Sequence, residues 1–140
     1  MMTDIHARVR KSFDRQTMMK TLGAELVAVE PGHCRIAAPI LPGARQQQGL
    51  AHAALTFALG DSAAGYAALT LMPDDAEVVT AEMKINLLAP ARGLRLLAHG
   101  RVVKFGRRLV VVEATVEAEQ DDATTSAVAI LLGTMVPVPA

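Results

Sequence analysis

Hydrophobic and polar positions alternate along this chain with two periods, and the switches between them mark its elements. Ile5, Val9 and Phe13 recur every four residues opposite Arg8, Lys11, Asp14 and Arg15, which predicts an amphipathic helix running to about Leu22. Thr3 is its expected cap and Gly23 its stop. The period then drops to two. Over 24–30, Ala24, Leu26 and Ala28 alternate with Glu25, Val27 and Val29, and over 33–40 Cys34, Ile36, Ala38 and Ile40 share a face. Pro31-Gly32 between these runs makes them a hairpin, closed by Pro42-Gly43. A polar loop, 44–49, leads into an apolar helix over 52–72. After Pro73-Asp74-Asp75, four more strands are predicted, over 77–88, 94–104, 108–119 and 127–136, and then a Pro-containing tail. In the first of these, Val79, Ala81, Met83, Ile85 and Leu87 form one face and Thr80, Glu82, Lys84 and Asn86 the other.

The order αββαββββ predicts an α+β fold in one domain, 1–140. Strands joined by short turns give an antiparallel sheet. A helix apolar all round has to be covered on most sides. A curved sheet wrapped around it, preceded by the N-terminal amphipathic helix, is the economical arrangement. Small helix residues, among them Ala58, Gly60, Ala63, Ala64 and Gly65, allow close approach of the sheet.

Composition narrows the picture. The 140 residues are 51% hydrophobic but carry only three Phe, one Tyr and no Trp, so Ala, Val, Leu, Ile and Met must build the core. Formal net charge is zero, which removes the bulk electrostatic case for nucleic acid or an acidic membrane as partner. The single cysteine, Cys34, has no partner for an internal disulfide and reads as a buried structural thiol, and no metal-ligand cluster is evident. There is no apolar leader at the N-terminus. The central helix, interrupted by Asp61 and two glycines, is a poor membrane span. A cytoplasmic protein is the expectation.

The candidate chemistry lies on that helix. Beyond His52, Asp61 is the only Asp, Glu, Lys, Arg or His in it. An ionised group among apolar atoms costs several kcal/mol unless offset, which makes Asp61 the first candidate for catalysis. The helix start is equally unusual, because 46–52 hold no Ser, Thr, Asp or Asn to cap it. Its first N–H groups are either free to bind a developing oxyanion or met by His52, a loop side chain or water. Gly49 permits a tight turn and a close ligand. If the Ala53 N–H polarises a carbonyl and Asp61 attacks it, both must lie within about 3 Å of the reacting group. Eight residues separate them, about 12 Å along a helix axis. One subunit cannot span that gap; two helices crossing at a twofold axis can, which predicts a dimer with composite sites.

The segment QQQGLAHAALTFALGDSAAGYAAL resembles the signature of hotdog-fold acyl-CoA thioesterases, most nearly the phenylacetate-degradation (PaaI-type) branch. That pattern runs Asn or Gln, two residues, Gly, two residues, His-Gly-Gly, then an acid nine residues after the His. Gln46, Gly49, His52 and Asp61 match it. VVTAEMKINLLAPARG and GRVVKFGRRLVVVEATV resemble the same group's strands, and the similarity covers most of the chain. The resemblance implies thioester hydrolysis with Asp61 as nucleophile or general base and no metal or redox cofactor, coenzyme A being part of the substrate. It implies that the Ala53 N–H holds the thioester oxygen, that Gln46 assists from the loop (or Gln47, if the register slips within the Gln run), and that Thr80 orients water. Basic residues near a hairpin turn often bind the coenzyme A phosphates in this family, which points to Lys104, Arg107 and Arg108; a solvated hairpin tip is the plain alternative. His52 is a loop anchor or a base. Met18, Met19 and Phe13 border the acyl pocket or pack the first helix.

One departure concerns His-Gly-Gly, here His52-Ala53-Ala54. The donor survives if the dihedrals suit a Cβ, and the methyl groups of Ala53 and Ala54 narrow the slot. The expected protein is a homodimer or dimer of dimers that hydrolyses an acyl-CoA. A non-hydrolytic acyl-CoA-binding protein and a hotdog dehydratase are the competing readings.

Overall fold

The computed structural model describes residues 4–140. The first helix, α1 (Ile5–Arg15), is capped by Asp4, whose Oδ1 accepts the N–H groups of His6 and Ala7 at 3.0 and 3.2 Å. The expected Thr3 cap lies outside the described residues. The helix does not run unbroken to Leu22. Gln16 leaves the helical region (φ −83°, ψ 87°), and a short helix, α2 (Thr17–Thr21), follows and ends before Gly23, whose φ of +69° suits glycine.

Six strands form one antiparallel sheet: β1 (Glu25–Glu30), β2 (His33–Pro39), β3 (Ala76–Leu87), β4 (Arg95–Phe105), β5 (Val110–Glu119) and β6 (Thr125–Pro139). Their order in space is β1-β2-β4-β5-β6-β3. β3 therefore does not pair with β4, which follows it in sequence, but crosses to the far edge and lies against β6. β6 is also longer than its pattern predicted. The expected proline tail continues the strand, with Pro137 opposite Val78 and Pro139 opposite Ala76.

Two of the bulges in the sheet change which side chains of β1 and β3 face inward. In β1 the register shifts between Leu26 and Ala28, so Val29 rather than Ala28 joins the core with Leu26. In β3 it shifts between Thr80 and Glu82. An extra residue in one strand inverts the alternation beyond it. The predicted single face of β3 is thus divided. Met83 and Ile85 pack on the core, but so does Val78 on the other side of the bulge, and Val79 is exposed. Thr80 falls on the inward side with Val78.

The sheet curves around α3 (Ala53–Leu69), which touches five of the six strands. Buried Leu55, Leu59, Ala63, Ala64, Ala67 and Leu69 meet Ile36, Leu96, Ala98, Val112 and Val116. Contact is close enough that a Cβ on Gly100 of β4 would lie 2.3 Å from the Ala63 carbonyl. Cys34 is buried in this core as expected, and burial pushes its thiol up to about 12. Arg8 fixes α1 across the end of α3. Its guanidinium donates to the carbonyls of Leu69, Met72, Pro73 and Ala76 at 3.1, 2.8, 2.5 and 2.8 Å. Those carbonyls lie at the C-terminal end of α3, in the turn that leaves it and at the start of β3, and the carbonyl end of a helix favours a cation.

Candidate active site

The loop before α3 is held by its backbone. Arg45 bridges to Ala51, the Gln46 N–H donates to Leu50 O at 2.9 Å, and the His52 N–H donates to Ala44 O at 2.9 Å. Gly49 sits at φ +84°, where other residues are strained, and its N–H donates to Gln46 O at 3.0 Å. The Arg45 guanidinium reaches Gly49 O and Ile40 O. The Oε1 of Gln46 accepts the Gln48 and Leu50 N–H groups, so Gln46 is the ordered glutamine of the run and Gln47 is exposed.

His52 caps α3. Its Nδ1 accepts the Ala54 N–H at 2.9 Å, and its carbonyl accepts Leu55 N–H at 2.9 Å. The accepting ring nitrogen serves where an oxygen cap was expected and missing. The open question at the helix start thus divides by residue. The Ala54 N–H is met by His52, whereas among the described residues no acceptor meets the N–H of Ala53. Ala53 and Ala54 are exposed, and neither has a positive φ, so the methyl groups cause no backbone strain. A cavity of about 450 Å³ opens here, lined by Gln46, Ala53 and Thr56 and by apolar Leu50, Leu87, Leu88 and Val128.

Asp61 lies in a different cavity, of about 660 Å³, two turns further along α3. Thr80 Oγ1 donates to Asp61 Oδ1 at 2.8 Å. The bulge after Thr80 is what aims it at the helix; the unbroken alternation of the sequence reading put it on the opposite face from Met83. Burial raises the Asp61 carboxyl above its ordinary value of 3.8, and the Thr80 bond lowers it by a smaller amount. The rest of this cavity is polar on one side. Gln16 Nε2 and Ser12 Oγ donate to the Tyr66 hydroxyl at 3.0 and 3.1 Å, and Ser62 Oγ donates to Gln16 Oε1 at 3.3 Å. Arg15 and Glu77 stand in the same wall, with Gly65, Val78 and Met135 completing it.

Of the residues singled out from sequence, the structure brings Asp61 and Thr80 together, and Gln46 and Ala53 together, in separate cavities of one chain. Lys104, Arg107 and Arg108 lie exposed at the tip of the β4–β5 hairpin and line neither cavity. Phe13 and Met19 are buried and Met18 is exposed; none of them lines either cavity, and Phe13 packs its ring 6.2 Å from that of Tyr66. Sequence reading missed Ser12, Gln16, Ser62 and Tyr66. The available signal was Tyr66, the chain's only tyrosine, on the apolar helix five residues after Asp61. Among the described residues no group of metal-ligating side chains is assembled, and no helix is long and apolar enough to cross a membrane.

This geometry can be set beside known proteins. The sequence profile of the thioesterase superfamily matches residues 48–125, more than half of the chain, from the loop before α3 through β5. The chain belongs to the thioesterase superfamily. A thioesterase family protein from Silicibacter pomeroyi has a solved structure 39% identical in sequence, covering 98% of this chain and 100% of its own, with a TM-score of 0.94. The E. coli PaaI protein of the phenylacetic acid degradation operon shares the fold at 17% identity, covering 97% of this chain and 94% of its own, with a TM-score of 0.84. A Bacillus halodurans protein solved with CoA also shares it, at 23% identity and a TM-score of 0.76, covering 96% of this chain and 85% of its own. The α+β hotdog fold and its thioesterase family are thus the ones the sequence resembled.

Proposed function

We propose that this thioesterase-superfamily protein hydrolyses an acyl- or aryl-acyl-CoA to the free acid and coenzyme A, at a site shared between two subunits of a homodimer or dimer of dimers. The observation that carries the reading is the division of one helix into two incomplete half-sites. One holds a carboxylate oriented by a hydroxyl, the other a backbone donor with no acceptor among the described residues, and they open into different cavities. A twofold axis that sets one helix start against the partner's helix middle completes both. A fold shared with a CoA-bound protein supports the thioester as substrate.

In this scheme the thioester oxygen accepts the Ala53 N–H of one subunit, with Gln46 beside it. Asp61 of the other subunit either removes a proton from water as the water oxygen bonds to the carbonyl carbon, or itself forms an anhydride that water then cleaves. The negative charge that develops on the carbonyl oxygen is held by the Ala53 donor at the positive end of α3. Collapse breaks the C–S bond and the thiolate leaves as coenzyme A. Thr80 keeps one carboxylate oxygen occupied, leaving the other toward the substrate. His52 acts by fixing the helix start, since its Nδ1 is engaged by Ala54.

Thiol release from a panel of acyl-CoA esters tests this. Wild type is expected to release coenzyme A, and Asp61→Asn to lose about 10²–10⁴-fold in kcat. Equal rates in the two proteins would remove Asp61 from the chemistry. Tight binding without release in the wild type would make the protein an acyl-CoA binder.

A further inference from the structure

The wall of the Asp61 cavity is more polar than folding needs. Ser12, Gln16, Ser62 and Tyr66 come from α1, the break after it and the apolar helix α3, and they hydrogen-bond mainly to one another. Tyr66 is buried. Its oxygen accepts from both Gln16 and Ser12, which leaves the phenol proton as a donor to give. Gln16 keeps a second amide N–H, and Ser62 keeps acceptor capacity. The chain also leaves helical geometry at Gln16 to place this amide, and Arg8 locks α1 in position behind it. Aliphatic side chains at these sites would pack the α1–α3 contact without any such requirement. The arrangement offers both donors and acceptors to a third party in a cavity of about 660 Å³.

On the hydrolase reading above, the acyl group that leaves Asp61 along this cavity meets that wall. We infer that Gln16 and Tyr66 select acyl groups carrying a neutral hydrogen-bonding group, a hydroxyl or keto oxygen, far from the thioester. Asp61 and Tyr66 are five residues apart on α3, about 7.5 Å along the axis, so the group sits roughly five carbons from the carbonyl. A carboxylate at that place is disfavoured, because the carboxylates of Asp61 and Glu77 outnumber the one cation, Arg15, in the lining of the same cavity. A plain alkyl chain strips water from the wall and returns no hydrogen bond.

The test compares hexanoyl-CoA, 6-hydroxyhexanoyl-CoA and adipoyl-CoA as esters, and the first two also as non-cleavable thioethers. Wild type is expected to show kcat/KM about tenfold higher for the hydroxylated ester than for hexanoyl-CoA, with adipoyl-CoA the poorest, and to bind the hydroxylated thioether about tenfold more tightly. Gln16→Leu lowers the hydroxylated ester about tenfold and raises hexanoyl-CoA, levelling the two. Ser62→Ala, on a different element, narrows the preference in the same direction and guards against a folding defect in the first variant. Cleavage of all three esters without preference overturns this inference and leaves the hydrolase reading standing. A thioether preference without ester cleavage supports the inference and removes the hydrolase reading. Equal loss on both esters in Gln16→Leu, or failure to bind either thioether, overturns the inference.

Discussion

The start and the middle of α3 are built from similar small residues, yet they present opposite chemistry. At the start, the functional group is an N–H. It needs no particular side chain, so alanine serves at 53, and the surrounding cavity is largely aliphatic. In the middle, the functional group is a side chain, and it has company. Asp61 is half-buried, held by Thr80, and backed by a polar wall. The helix dipole favours charge on a ligand at the start but fades within a turn, so it does nothing for a carboxylate two turns along. Burial penalises the charged form of Asp61, and the Thr80 hydrogen bond offsets part of that. A backbone site is therefore cheap and tolerant of sequence, while a buried acid is costly and needs a supporting residue.

The comparison can be broken at either end. The largest effect is expected at Asp61. Asp61→Asn should abolish most turnover and also raise stability. The sign follows from burial: the folded state holds the Asp61 proton more tightly than the unfolded chain does. Stability therefore falls as pH rises from the ordinary carboxylate value through the raised one, and remains lower above it. The asparagine variant escapes that loss, so its Tm at neutral pH should exceed wild type, measured by thermal unfolding. An unchanged or lower Tm would mean that Asp61 is not held at a cost.

Ala53→Pro removes the donor at the other end. Proline is favoured at the first helical residue, and His52 before it is already extended at ψ 142°. No hydrogen bond among the described residues is lost. We expect a fold intact by circular dichroism and kcat lower by about 10²–10³, the usual cost of one oxyanion donor. Thr80→Val should have a smaller effect, about tenfold in kcat. It should also move the acidic limb of the pH–rate profile upward, because the hydrogen bond that lowers the Asp61 carboxyl is gone. His52→Ala is expected to be mildest, losing about 1 kcal/mol of stability with the cap and a few-fold in rate.

Much of this was legible in the pattern of residues. The hairpin at Pro31-Gly32, the central helix, the buried face of Cys34, Ile36, Ala38 and Ile40, and the isolation of Asp61 all follow from periodicity and composition, because they are local. What was not legible depends on contacts distant in sequence. The bulge at Ala81 turns Thr80 toward Asp61, but a two-residue alternation contains no mark of an inserted residue. The break at Gln16 is explained by bonds to Tyr66 and Ser62, about fifty residues away. The edge position of β3 depends on a crossover that a short connection does not announce. Histidine as a helix cap was among the open alternatives, and only the geometry of its Nδ1 decided it.

The central claim is that one active centre draws on two chains, and mixed dimers test it most directly. Asp61→Asn and Ala53→Pro chains, each inactive alone, would be unfolded together and refolded at equal amounts. If each site takes its acid from one chain and its donor from the other, a heterodimer has one doubly damaged site and one intact site, and random pairing restores about a quarter of wild-type activity. No recovery, with heterodimers shown to be present by mass, would place both groups in a single chain's site and contradict the account.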